Sequence, residues 1–189
     1  MKRKKKGGRR TLTVFLLLLV IAVFSLFGVK TYREYQYPLR YEEYIYNYSE
    51  AYGVNPYLVM GVIRAESNFI HDAQSHKDAK GLMQLMDETA EEVAGKIGLS
   101  DFTLDQLSNP QINIQMGVWY LSYLLKQFEQ DETLALAAYN AGIGRVNQWL
   151  DDPEVSRDGK TLESIPYGET ERYVEKVLKF AQEYKKIYQ

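Results

Sequence analysis

Apolar positions follow two different patterns along the chain. Residues 11–29 form a continuous uncharged run rich in Leu, Val, Ile and Phe. From Pro38 onward, apolar residues recur at three- and four-residue spacing, which is the mark of helices with one buried face. Pro38 opens a predicted helix ending at Tyr52, with Tyr41, Tyr44, Tyr48 and Tyr52 on one face and Gly53 as its stop. Asn55-Pro56 is a helix start, Asn as cap and Pro as first residue. The segment that follows, Tyr-Leu-Val-Met-Gly-Val-Ile-Arg-Ala-Glu, is apolar on nearly every side and predicts a central buried helix. A third helix is predicted over residues 81–96, on the spacing of Leu82, Leu85, Met86 and Val93. Asn109-Pro110 repeats the start signal before Ile114, Val118, Leu121, Leu125 and Phe128. Further helices are predicted over 132–141, stopped by Gly142, over 146–150, and over 169–188, with 151–166 as a loop. No strand alternation stands out, though a short hairpin fits near 70–80. The fold class is therefore mainly α, one domain of about 150 residues behind an apolar N-terminal helix.

The apolar run changes the organisation. It has 19 uncharged residues ending at Lys30, nearly enough to cross a hydrocarbon core of about 30 Å. Residues 1–10 carry seven Lys or Arg and no acid. A cleaved signal peptide is the competing interpretation, but its apolar region is usually shorter and ends in small residues, whereas this run ends Ser-Leu-Phe-Gly-Val. The expected division is a basic cytoplasmic tail (1–10), a transmembrane anchor (11–29), a stalk (30–39) and an exported domain (40–189), with positive charge held inside. Tyr32, Tyr35 and Tyr37 on the stalk fit an interfacial aromatic belt. Residues 11–189 hold 16 basic and 25 acidic residues, a net of −9. Such a domain repels phosphate backbones, so the basic tail indicates topology and no nucleic acid is expected as a partner. The chain has no Cys, hence no disulfide framework and no thiolate metal site.

One carboxylate is out of place. Glu66 continues the apolar stripe of Val59, Val62 and Ile63. A Glu there must be paired, with Arg145 or Arg172 for example, or lie at the floor of a cleft, or stay protonated. Desolvation raises a carboxyl pKa, and a raised pKa suits a general acid. The surrounding sequence adds Arg64-Ala65-Glu66-Ser67-Asn68-Phe69, then Ser75, Gly81-Leu82-Met83-Gln84-Leu85-Met86, Ala137-Ala138-Tyr139-Asn140-Ala141-Gly142 and Gly168-Glu169-Thr170-Glu171-Arg172-Tyr173-Val174. In that order and approximate spacing, over residues 40–185, the chain resembles the soluble-lytic-transglycosylase-like family, related to goose-type lysozyme.

The resemblance implies a lysozyme-like catalytic domain with a glycan-binding cleft. Glu66 would be the catalytic acid of a peptidoglycan lytic transglycosylase that forms 1,6-anhydro-muramoyl ends. Ser75, Met83, Gln84, Tyr139, Asn140, Glu169 and Tyr173 would bind substrate. Other roles fit the same residues: backbone orientation for Ser75 and Ser67, core filling for Met83, helix capping for Tyr139 and Asn140, and an exposed helix face for Glu169 and Tyr173. No metal or cofactor is implied; His71 and His76, five apart, suit a loop better than a ligand pair. A hydrolase on the same acid and a glycan-binding scaffold without catalysis remain as alternatives. Two positions depart from the family pattern. Asp78 stands where Gly is usual, and Asp87 stands where Pro often follows Leu-Met. Both put loop geometry in doubt more than the acid.

Overall fold

The computed structural model describes residues 6–189, with side chains from residue 12 onward except those of 22, 26 and 30. The predicted basic tail thus falls partly outside the described residues. The chain divides into two compact units, Met1–Leu39 and Arg40–Gln189.

The first unit is one helix, α1 (Lys6–Gln36). Its described apolar side chains are exposed all round, from 50% at Leu16 to 74% at Phe24. The segment Leu12–Gln36 is long enough to cross a membrane, and its most apolar 18-residue window has mean hydropathy 2.9. The helix does not stop at Lys30; most of the expected stalk is its continuation.

The second unit contains seven further helices and one 3-10 turn: α2 (Glu42–Tyr52), α3 (Pro56–Glu66), α4 (Asp87–Ile97), the turn Leu104–Ser108, α5 (Pro110–Gln127), α6 (Glu132–Ala141), α7 (Ile143–Leu150) and α8 (Gly168–Tyr188). Helix starts follow the caps. The Asn55 side chain accepts from Tyr57 N at 3.0 Å, Asn109 accepts from Gln111 N at 2.9 Å, and Asp131 accepts from Leu134 N at 3.0 Å. α3 is buried from Leu58 to Ile63. Its Gly61 lets α8 approach so closely that a Cβ there would run into the Val177 carbonyl and Ala181.

Three predicted boundaries are corrected; α7 starts at Ile143, directly after Gly142, not at 146. α2 starts at Glu42, not Pro38, because Tyr41 takes a left-handed conformation (φ 57°) that breaks any helix running in from Pro38. The helix predicted from Gly81 begins at Asp87 instead. Residues 81–86 are held as turns by the bridge pairs Gln74–Lys80 and Lys80–Leu85, and Gly81 and Gln84 both have positive φ. The predicted hairpin region is this pair of isolated bridges; no extended strand forms among the described residues.

Asn113 on α5 holds that loop. Its fully buried carboxamide accepts from Met83 N (2.8 Å) and donates to the Lys80 carbonyl (3.0 Å) and the Leu107 carbonyl (2.9 Å). Gly81, at φ 79°, lies so close that a Cβ would overlap the Asn113 amide. Removing the carboxamide orphans three buried backbone groups. Asn113→Ala should therefore destabilise by about 3 kcal/mol and lower Tm by on the order of 10 °C, read by thermal melting followed by circular dichroism. An unchanged Tm would remove Asn113 as the fastening of the loop.

Candidate active site

Glu66 is the last residue of α3. Ser67 caps the helix, and its hydroxyl donates to the Ile63 carbonyl (3.2 Å) and to the Leu82 carbonyl (2.8 Å), tying the helix end to the 81–86 loop. Asn68 and Phe69 then both take left-handed conformations, φ 54° and 62°. Such conformations cost bulky residues about 1–2 kcal/mol each. Phe69 offsets this by burying its ring against Tyr184, with 6.0 Å between centroids. The sharp exit leaves the Glu66 carboxyl at a pocket of about 470 Å³, lined also by Ser75, Gln84, Asn68, Gln74, Arg64, Lys176 and Phe180.

Burial pushes the Glu66 carboxyl up to about 7 from an ordinary 4.5. Two neighbours pull the other way: the Tyr173 hydroxyl first, then the positive charge of Lys176. The Tyr173 contact falls short of full hydrogen-bond geometry. Its oxygen is buried, and no partner completes it among the described residues. The structural ion pair with Arg145 or Arg172 does not form. Arg145 donates to Gln148 (3.0 Å) and covers the Tyr167 ring, while Arg172 lies back over Gly168. Among the described residues no second carboxylate lines the pocket, and no three His, Asp or Glu side chains converge as metal ligands.

The other predicted residues divide into groups. Gln84 and Ser75 line the pocket with Glu66. The Gln84 amide donates to the Ala73 (3.0 Å) and Gly81 (2.9 Å) carbonyls. The Ser75 hydroxyl accepts from Lys77 N (3.2 Å) and Ala79 N (3.0 Å). Tyr139 donates its hydroxyl to the Met83 carbonyl at 2.8 Å. Burial, then the nearby Glu66 charge, pushes the Tyr139 and Tyr173 hydroxyls up, which places both rings beside the acid. Asn140 is exposed and accepts from the buried Thr170 hydroxyl at 2.9 Å, joining α6 to α8. Glu169 is exposed one turn before Tyr173, outside the pocket lining. Met83 fits the core-filling alternative: its side chain is fully buried, and it lies over Gly117 so tightly that a Cβ there would overlap its sulfur. Met86, 45% exposed, is the accessible methionine of that segment.

Sequence reading missed Lys176 and Phe180. The signal was present: Tyr173, Lys176 and Phe180 continue one face of α8 at three- and four-residue spacing. The two family departures have structural explanations. Asp78 takes the left-handed conformation that Gly favours (φ 61°), which Asp tolerates better than most residues. Asp87 accepts from Lys80 through both oxygens, at 2.8 and 3.0 Å, across the ends of the loop.

The acid has a linkage consequence. Its folded pKa lies above its unfolded value, so its favourable contribution is full below about 4.5 and is lost as pH rises through about 7. Glu66→Gln should thus match the parent's stability at pH 4 and exceed it by on the order of 2 kcal/mol at pH 8, compared by chemical denaturation at both values. Equal stability at pH 8 would mean that the carboxyl is not desolvated. Separately, Tyr173→Phe removes a group that favours the carboxylate. The Glu66 pKa should then rise further, followed by NMR of carboxyl-labelled Glu; a fall would reverse the assigned role.

The family profile described as the transglycosylase SLT domain matches residues 43–160. The soluble lytic murein transglycosylase of Salmonella typhimurium is 36% identical over 149 residues, 78% of this chain and 23% of that protein. The membrane-bound lytic murein transglycosylase F of Desulfosudis oleivorans is 32% identical over 170 residues, 75% of this chain and 35% of that protein. The crystal structure of an inactive mutant of the lytic transglycosylase Slt from Pseudomonas aeruginosa superposes with a TM-score of 0.71 at 36% identity, covering 82% of this chain and 25% of that one. The chain thus spans about a quarter to a third of the length of these relatives. Their lysozyme-like helical fold is the fold of residues 40–189, and the chain belongs to the transglycosylase SLT domain family.

Proposed function

We propose that this chain is a membrane-anchored lytic transglycosylase that cleaves the β-1,4 bond between N-acetylmuramic acid and N-acetylglucosamine in peptidoglycan. The observation that carries the reading is one partly buried, largely desolvated carboxyl, Glu66, with a pKa near 7 and no second carboxylate in its pocket among the described residues. Most glycosidases need two. Intramolecular transfer needs one. Glu66 gives its proton to the glycosidic oxygen as the C1–O4 bond breaks, and the substrate's 2-acetamido group shares the charge that develops at C1. Glu66, now a carboxylate, takes the proton of the C6 hydroxyl of the same muramoyl ring, and that oxygen closes on C1. The acid is regenerated, and no water is consumed. Gln84, Ser75, Tyr139 and Tyr173 are assigned to the first sugar contacts around the acid, and the exposed Asn140 and Glu169 to contacts further along the strand.

The same reading assigns α1 as an anchor. The described apolar side chains of its 12–29 stretch are all exposed, and the relatives include proteins named as membrane-bound. The basic residues before it keep the N-terminus cytoplasmic, and the domain from residue 40 works outside the membrane.

The test is product analysis. Full-length protein in detergent is incubated with purified peptidoglycan, and the soluble fragments are read by mass spectrometry beside a Glu66→Gln control. Fragments one water lighter than hydrolysis products, absent from the control, are expected. Reducing muramoyl ends would make the chain a hydrolase. No fragments from a folded protein that binds peptidoglycan would make it a scaffold. The rate should also fall as pH rises through about 7, because the cycle starts from protonated Glu66; a rate that climbs through that range would exclude Glu66 as the acid.

A further inference from the structure

Charge is unevenly placed in the catalytic unit. Residues 40–189 hold 14 basic and 24 acidic residues, a net of −10. The Glu66 pocket nevertheless has two cations in its wall, Arg64 on α3 and Lys176 on α8. Both lie over one aromatic ring. The Arg64 guanidinium is 5.7 Å and the Lys176 ammonium 5.8 Å from the Phe180 centroid. The sole carboxyl in the wall, among the described residues, is Glu66. Lys176 gives one hydrogen bond to the Ala65 carbonyl, at 3.1 Å, and has no ion-pair partner among the described residues. An ammonium has three donors, so this exposed one keeps capacity for an anion.

The strand proposed as substrate is neutral along its sugar backbone. Charge enters only on the 3-O-lactyl arm of the muramoyl ring. Without a stem peptide it is the lactyl carboxylate itself; with one, it is the carboxylates of the peptide. We propose that Lys176 is a specificity-determining residue that binds a carboxylate on the lactyl arm, with the Phe180 ring as an apolar seat beside it. The inference rests on the glycan-strand reading above and adds which part of the strand the pocket recognises. It explains why cations occupy this wall of an acidic domain. It also separates muramoyl-containing strands from neutral polymers of N-acetylglucosamine, which offer Lys176 nothing to bind.

Lys176 also acts electrostatically on Glu66, so activity alone would confuse two roles. The test is therefore binding, made in full-length Glu66→Gln protein, where that carboxyl carries no charge. Three ligands are titrated by calorimetry at fixed pH: chitotetraose, a peptide-free tetrasaccharide of alternating N-acetylglucosamine and N-acetylmuramic acid, and that tetrasaccharide with stem peptides. Adding Lys176→Met should weaken the anionic ligands about five- to tenfold, the scale of one charge-assisted contact in a partly exposed site. Chitotetraose should change less than about twofold, and Lys176→Arg should restore most of the difference. Loss on both muramoyl ligands assigns the carboxylate to the lactyl group; loss on the peptide-bearing one alone assigns it to the stem. Equal weakening of all three ligands, or none, overturns the role of Lys176 while leaving the glycan reading intact. A folded Glu66→Gln protein that binds none of the three overturns both.

Discussion

The buried carboxamide of Asn113 is the constraint on which the pocket depends. One side chain satisfies three backbone groups, from residues 80, 83 and 107. Those residues come from the loop after the acid and from the turn before α5, segments with no regular hydrogen-bond ladder of their own. A buried backbone without a ladder is costly unless each polar group finds a partner. Asn113 supplies partners to both segments at once. The loop so fixed then supplies the Leu82 carbonyl to Ser67, the Met83 carbonyl to Tyr139, and Gln84 to the pocket wall. A core asparagine, fully buried, thus decides where Ser67, Tyr139 and Gln84 find their loop partners.

How much of this the sequence disclosed varied with the range of the interactions. Helices whose ends are set locally were legible. Asn55-Pro56, Asn109-Pro110 and the Gly142 stop are caps that act within two or three residues; α3 and α5 begin, and α6 ends, at them. The segment 81–96 was misread because its apolar spacing is helical while its backbone is not. Leu82 and Leu85 are buried from a turn, and the pairing of Lys80 with Leu85 and the grip of Asn113 override the local pattern. Nothing within the segment announces that a residue about thirty positions later will hold it, as Asn113 holds Met83 N.

The site was legible where chemistry is unusual and obscure where it is ordinary. A Glu ending an apolar helix breaks the hydrophobic pattern and asks for a reason, and the ordered motifs around it, shared with a known family, turned that question into a candidate acid. Met83 breaks nothing, and its burial over Gly117 follows from the approach of α5, which sequence spacing does not reveal. Lys176 and Phe180 are common residues on an amphipathic helix. Only the packing of α8 against α3, through Gly61, turns that face toward the acid and gives those residues a function to argue for.

The same packing sets the balance of forces on the Glu66 proton. An acid that must first give a proton and then take one back works best when neither form is strongly preferred at the working pH. Burial alone would hold the proton on Glu66 too tightly, and full solvation would release it before substrate arrived. Here desolvation by the loop and helix walls raises the affinity, while the Tyr173 hydroxyl and the Lys176 charge lower it, and the result lies near 7. Both opposing groups come from one face of α8, three residues apart. α8 therefore moderates the Glu66 proton through position and charge, opposing part of what desolvation does.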